Sequence, residues 1–440
     1  MKKRFSRKPC LYAAFILYVL TLSPHLHAEE KPAPPLPEPL TLEYALQLAE
    51  EPHPDVLLSI SEIEDAEAKY LSVESETGIN ASIAGRATWV EPARTAPDQS
   101  HNDSMAGLSF KKKIYDFGRT SLKLSAAELD IKANRLLYSN MLNRRQIEIM
   151  ERFFDVLIAD LEFIRDREEV AVAFFKFKRA EGDKELGKAS TLNVLEAEAK
   201  YRETRRKRAA SEARQNITRQ LLAETLNRPG RLPAALTEPS LLQIDRKLPE
   251  MEGLIKIAVS KDPVVLSLKE KVEAANKRIK AARFEWGPVL SAELEASAYE
   301  REFGSRDRLR AGLVLEIPFL TGGRRASKIA AHTAELHRFE ASLRRREMDV
   351  RKAVFETWQQ INVLHYQLEE VNTLIKYRDM SLDQARTIYE QGLRAYLGGA
   401  LVEYSEARLR LAETRYSLAL AWARLDALTG EKVFYGGKNE

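Results

Sequence analysis

Few side chains in this sequence could do chemistry, and their spacing does not suit it. The seven histidines include two in the first 28 residues; the others are His53, His101, His332, His337 and His365. His332 and His337 are five apart, which puts them off one helix face, so they do not form a helical metal pair. Cys10 is the only cysteine, which leaves no disulfide and no thiolate site in the rest of the chain. No phosphate loop, nucleophile elbow or metal-ligand cluster is present. The expectation is a protein with no catalysis, no metal and no cofactor. Charge at helical spacing does occur. Glu403 and Glu406 are three apart and can share one side of a helix. Asn193 and Glu196 stand at the same spacing in an earlier copy of that segment. The basic runs Arg205-Arg206-Lys207-Arg208 and Arg344-Arg345-Arg346 have acidic residues nearby. They read as solvated helix faces, not as a nucleic-acid surface.

The start of the chain accounts for its basic balance. Residues 1–28 hold five Lys or Arg and no Asp or Glu, so the formal charge falls from +4 to −1 without them. A basic opening, an apolar run from Cys10 to Leu22 and a small residue at Ala28 read as a secretory signal peptide cut after Ala28. The run is too short to span a bilayer, which takes roughly 20 residues. A retained signal anchor is the alternative. Cys10 opens the apolar run instead of closing it, which argues against lipidation. Residues 29–40, EEKPAPPLPEPL, read as a proline-rich leader.

The elements that would position the charged pairs come in two copies. The sequence predicts a first repeat over 41–230, a linker over 231–250, a second repeat over 251–430 and a tail over 431–440. Each repeat opens with a short helix, 42–49 or 254–259. A His53-Pro54 or Asp262-Pro263 step and a helix over 55–77 or 264–285 follow. After two alternating segments comes a glycine turn, Asp116-Phe117-Gly118-Arg119 or Thr321-Gly322-Gly323-Arg324. A very long helix then spans 119–181 or 324–391, and a last helix 190–227 or 400–429. An old duplication explains this order. In the first long helix, Leu122, Leu129, Leu136, Met150, Leu157 and Ile164 form one row. Ala126, Ala133, Ile147, Phe154 and Leu161 form another. Both follow a seven-residue repeat, the first interrupted by the polar Asn143, which predicts coiled-coil packing. The shorter helices, stacked end to end, match the long one better in the first half than in the second.

Four segments, 79–89, 106–114, 290–299 and 309–317, alternate apolar and polar residues. Lys112 breaks the apolar face of the second, near its periplasmic end. Their length suits strands crossing a membrane at a tilt, with lipid on one face and water on the other. A soluble sheet with one buried face gives the same alternation. If the strands cross lipid, four cannot close a barrel, and open edges would leave backbone groups unsatisfied. Two chains would give eight strands and a filled interior; three would give twelve and a lumen. The loops 91–104 and 301–308 would face outside.

The chain resembles the TolC-like outer-membrane factors of Gram-negative bacteria. The resemblance rests on Tyr115-Asp116-Phe117-Gly118-Arg119, on Ile317-Pro318-Phe319 with Gly322-Gly323-Arg324, and on the Glu-Ala steps at 196–197 and 406–407. It implies a mainly α fold, with long antiparallel coiled-coil helices forming an α-barrel. Four strands per chain would contribute to a shared, trimeric, twelve-stranded β-barrel. It also implies a homotrimer in outer-membrane lipid, a periplasmic adaptor protein and an inner-membrane pump or ABC transporter as partners. The chain would be a passive exit duct for efflux or type I secretion. Gly118, Gly322 and Gly323 would turn strand into helix at the membrane boundary, since glycine tolerates the backbone angles such a turn needs. Glu403 and Glu406, with Asn193 and Glu196 as counterparts, would form the periplasmic aperture, as two acidic rings in three copies. The competing expectation is a soluble periplasmic coiled-coil adaptor, which needs only one hairpin and no lipid-facing band.

Overall fold

Local signals start each helix where the chain must change direction. The computed structural model describes residues 36–230, 235–241, 244–301, 306–319, 322–391 and 396–430. The signal peptide 1–28, most of the leader 29–40, the tail 431–440, Thr321 and parts of the linker and of the 301–308 loop lie outside the described residues. Helix α1 (Leu42–Gln47) continues as a 3-10 turn to Glu50 and is followed by α2 (Pro54–Ser75). His53 Nδ1 caps α2 by accepting from the Asp55 amide at 3.2 Å, and Pro54 fills the first helical position. Strands β1 (Ile79–Arg86) and β2 (Met105–Tyr115) lead into α3 (Arg119–Glu185) and α4 (Thr191–Thr225). The second half repeats this order: α5 (Met251–Lys261), α6 (Pro263–Phe284), β3 (Val289–Tyr299), β4 (Leu309–Glu316), α7 (Arg324–Glu390) and α8 (Leu397–Thr429). Asp262 caps α6 at the Val265 amide (2.8 Å) and pairs with Arg346 at 2.7 Å.

The two long helices have 67 residues each, about 100 Å at 1.5 Å per residue. Helices α2 and α4, of 22 and 35 residues, lie along α3; α6 and α8, of 22 and 33, lie along α7. The second half thus matches its long helix as well as the first does, against expectation. The reason is in α8, which begins at Leu397 and not at residue 400. Gly398 and Gly399 belong to its first turn, where a Cβ on Gly399 would fall on the Tyr396 ring and one on Gly398 on Val172. The glycines let helix and neighbour approach closely and do not break the helix. Helix α3 also packs against α6 and α8, so it has partners on both flanks; among the described residues α7 packs mainly against α5, α6 and α8.

The seven-residue rows of α3 are buried at Ala126, Ala133, Met150 and Phe154, where Phe154 stacks on Tyr416 of α8 at 4.5 Å. Towards the far end of the helix the pattern fails. Ile164 is at the surface, and Asp166 is buried in its place, salt-bridged to Arg165 at 2.6 Å. The neighbouring groove is charged, so the buried face there is no longer the apolar one. Among the described residues, no helix is long and apolar enough to cross a membrane.

The strands form one antiparallel sheet in the order β1-β2-β3-β4. Its register sets two faces. Ile79, Lys112, Ala292 and Leu313 form one row across it, and Ala81, Phe110, Leu294 and Ala311 the next. The opposite face carries Asn80, Lys111, Glu293 and Gly312, then Ser82, Ser109, Glu295 and Arg310.

Candidate functional site

The sheet is inside out by the standards of a soluble protein. On β3, Ser291 and Ser297 are buried, whereas Leu294 is 41% exposed; across the sheet Ile83 is 84% and Leu313 70% exposed. Among the described residues, the strands make their extensive contacts with one another and with no helix. A soluble sheet would bury its apolar face against a second layer; here that face is bare. The polar face is organised instead. Lys111 pairs with Glu293 at 2.7 Å, and Ser82 and Ser109 hydroxyls hydrogen-bond at 2.7 Å. A bulge between Lys113 and Tyr115 shifts the register, so Tyr115 pairs with Leu290 on the apolar face. Alternation alone does not predict that placement; three consecutive lysines, 111–113, were the available signal.

At the outer end, the hairpin ladder continues past β1, with the Asp103 amide donating to Thr88 O at 2.8 Å. Trp89 stacks on His101 at 5.4 Å. Arg306 pairs with Asp103 at 2.7 Å, and Arg301 donates to Asp98 O at 2.6 Å. The 91–104 loop is thereby tied to residues that follow β3.

At the other end the two strand-to-helix turns share one geometry. Phe117 and Gly118 have φ of 56° and 84°; Gly322 and Gly323 have 56° and 81°. Gly118 and Gly323 are the left-handed N-caps of α3 and α7. Beside the first turn, Glu76 accepts from Lys123 (2.9 Å) and Lys113 (3.1 Å). Burial raises the Glu76 carboxyl, but those two hydrogen bonds outweigh it and leave its pKa below the ordinary value.

Near the far end of the long helices, Glu403 and Glu406 sit on α8, on the wall of a groove of about 650 Å³. They are not free. Glu403 is salt-bridged to Arg378 of α7, and Glu406 to Arg165 of α3 at 2.9 Å and to Arg410 at 3.2 Å. Burial raises Glu406, but the Arg165 and Arg410 hydrogen bonds overcome it and hold it below the ordinary carboxylate range. Glu413 is pushed up, first by burial and then by Glu406 and Glu162. Asn193 and Glu196 do not join this groove. The Asn193 side chain completes a capping box with Ser190 at the start of α4, and Glu196 is exposed. Sequence reading missed Arg165 and Arg378, because each lies on a different helix from its carboxylate and no spacing links them.

Residues 254–431 match the family model described as outer membrane efflux protein. That match spans the second of the two repeats. Among its relatives, the alkaline protease secretion protein AprF of Pseudomonas aeruginosa is 21% identical over 353 residues, 76% of this chain and 71% of AprF. The outer membrane efflux protein BepC of Brucella suis is 22% identical over 278 residues, 62% of this chain and 59% of BepC. Crystal structures of CusC (17% identical, TM-score 0.71, 89% of this chain and 92% of that one) share the fold. So does VceC of Vibrio cholerae (15%, 0.69, 89% and 97%). The chain is thus similar to outer-membrane efflux and secretion proteins, by sequence most clearly over its second half and by fold over nearly its whole length. Outer membrane efflux proteins are passive channels that work with tripartite pumps or secretion systems.

Proposed function

We propose that this chain is one third of a homotrimeric exit duct, docked through an adaptor to an inner-membrane pump or ABC transporter and performing no catalysis itself. The observation that carries the reading is the pair of open edges. Strands β1 and β4 each have one neighbour. In lipid an unpaired strand edge leaves several backbone groups without partners. Pairing β4 of one chain with β1 of the next removes both edges, and three chains give twelve strands with room for a lumen. The helices are open on the same sides. Among the described residues, helices α2 and α4 flank α3 alone, and α7 has no second flank. Leu57, Leu58 and Ile217 on one side, and Phe355, Val363 and Tyr366 on the other, are exposed apolar residues at these open flanks. Contacts that join unlike surfaces head to tail close into rings.

Two repeats, 41–230 and 251–430, would then supply six hairpin units to the tube. The aperture at its periplasmic end would be formed by Glu403 and Glu406, closed while Arg378 and Arg165 hold them, with Asn193 and Glu196 at the matching place on α4. A conduit of this kind serves small molecules or proteins alike; BepC is named for efflux and AprF for protease secretion. The test is mass measurement and planar-bilayer recording on the purified, heat-sensitive oligomer. Three chains per particle and discrete conductance steps are expected. A dimer, or a folded oligomer that does not conduct, would sink the proposal.

A further inference from the structure

Lys112 is the residue that the conduit leaves unexplained. Its neighbours are both used: Lys111 pairs with Glu293 across the polar face, and Lys113 reaches Glu76 at 3.1 Å. Lys112 points the other way by register, in the row Ile79, Lys112, Ala292, Leu313. It is exposed, and among the described residues no carboxylate pairs with it. A bare ammonium on the lipid face is unfavourable unless it reaches the headgroups. Its depth allows that. Tyr115 is half exposed, its ring is 4.8 Å from that of Phe117, and Phe319 is fully exposed just after β4. Such aromatics mark a membrane boundary. Lys112 is three residues from Tyr115, about 10 Å of strand and about 7 Å of depth at a tilt of ~45°. A lysine stem can lie on apolar surface while its ammonium reaches that boundary.

The surface beside Lys112 is shaped. Small Ala292 lies between Lys112 and Leu313 in one row, and Phe110 and Leu294 stand in the next. The hollow between them has a volume of about 640 Å³ and is lined mostly by apolar surface. A cation at the periplasmic end of an apolar furrow is complementary to a phosphate attached to an acyl chain. We infer that Lys112 and this furrow hold one anionic glycerophospholipid of the periplasmic leaflet per chain, the phosphate on the ammonium and the acyl chain against Ala292. The inference rests on the barrel reading above. Lipopolysaccharide phosphates would lie at the opposite, loop end of the strands.

The test uses the full-length oligomer in nanodiscs of mixed phosphatidylglycerol and phosphatidylethanolamine, with retained lipid counted by native mass spectrometry. One basic residue near a charged surface favours the anionic lipid about fivefold, which corresponds to ~1 kcal/mol. Wild type and Lys112→Arg should show that preference, while Lys112→Leu and Lys112→Gln should retain both lipids equally. Conductance should be unchanged in all four, which separates failure of the lipid site from failure of the conduit. The inference is overturned if the Leu and Gln variants keep the preference, if wild type shows none, or if lipopolysaccharide added to the discs displaces the phosphatidylglycerol at Lys112.

Discussion

Replacing Gly118 by alanine isolates the backbone cost of turning a membrane strand into a 67-residue helix. Gly118 has φ of 84°, and a Cβ built there meets nothing within 4 Å. Packing therefore contributes nothing, and only the left-handed conformation is penalised, by about 1–2 kcal/mol for an L-residue. The unfolded chain gains rigidity from alanine, which returns about 0.4–1 kcal/mol. The net loss is about 0–1.6 kcal/mol per chain, centred near ~0.8 kcal/mol. Near the melting temperature, unfolding entropy runs to about 2.1 cal/mol/K per residue. Roughly 400 residues then give about 0.8 kcal/mol/K, so Tm should fall by about 1 °C, and by no more than about 2 °C. In a cooperative oligomer both the loss and the entropy scale with chain number, and the shift is the same.

Gly182 supplies the opposite sign in the same helix. It lies within α3, and a Cβ there also meets nothing within 4 Å. Gly182→Ala should stabilise by up to about 0.5–1 kcal/mol, raising Tm by about 1 °C. Differential scanning calorimetry of the detergent-solubilised oligomer resolves shifts of this size. Equal shifts of the same sign in the two variants, or a Gly118→Ala protein more stable than wild type, would refute the backbone account of the turn.

Arg378→Ala should free Glu403 at the groove, and Arg165→Ala combined with Arg410→Ala should free Glu406. Both pairs are partly exposed, so each contributes about 1 kcal/mol at most; the expected result is a several-fold rise in cation over anion permeability, and an unchanged ratio would remove these carboxylates from the lumen. His53 should make stability depend on pH. Burial and then Arg145 lower its pKa below 6.5, while Asp55 and Glu148 oppose them, so the unfolded state binds the proton more readily than the folded one. Its contribution is therefore complete above pH 6.5 and is lost as pH falls through the lowered folded value, with loss of the Nδ1 cap on Asp55. His53→Asn, which can still cap, should flatten the Tm profile between pH 5 and 7; a profile as steep as wild type's would rule this out.

Much of the fold was legible because periodicity carries it. Alternation located all four strands to within three residues at either end, and the rows of seven in α3 gave its coiled-coil character. The failures occur where a second element decides the outcome. The Lys113–Tyr115 bulge re-aims Tyr115 through pairing with β3, which no single-strand pattern contains. Gly398 and Gly399 resemble a helix break in sequence, yet Val172 and Tyr396 make them a close contact inside α8. Ile164 follows the seven-residue rule and still faces out, because the charged groove replaces the apolar seam at that level. For the groove itself, sequence offered two glutamates at helical spacing but not the arginines that neutralise them, which come from α3 and α7.

The duplication also lets the missing neighbour of the ring be read from a single chain. Aligning the Gly118 and Gly323 caps places Ile149 with Val354, Val156 with Ile361, and Met150 with Phe355. The first two pairs are fully buried in both copies; in the third, Met150 is 0% exposed and Phe355 is 47%. One face of α7 is thus as filled as the matching face of α3, while the other holds a large aromatic with nothing over it. Helix α3 has α2 and α4 of its own repeat and α6 and α8 of the next around it, whereas among the described residues α7 has α6 and α8 of its own repeat and no second such pair. In the proposed ring, α2 and α4 of the next chain would supply that pair. Met150→Ala should therefore cost about 2–5 kcal/mol in each chain, lowering the unfolding temperature of the monomer and the oligomer alike. Phe355→Ala should leave the monomer's unfolding nearly unchanged and lower only the temperature at which the oligomer dissociates. If both substitutions destabilise the monomer equally, Phe355 is covered within its own chain and the head-to-tail closure is wrong.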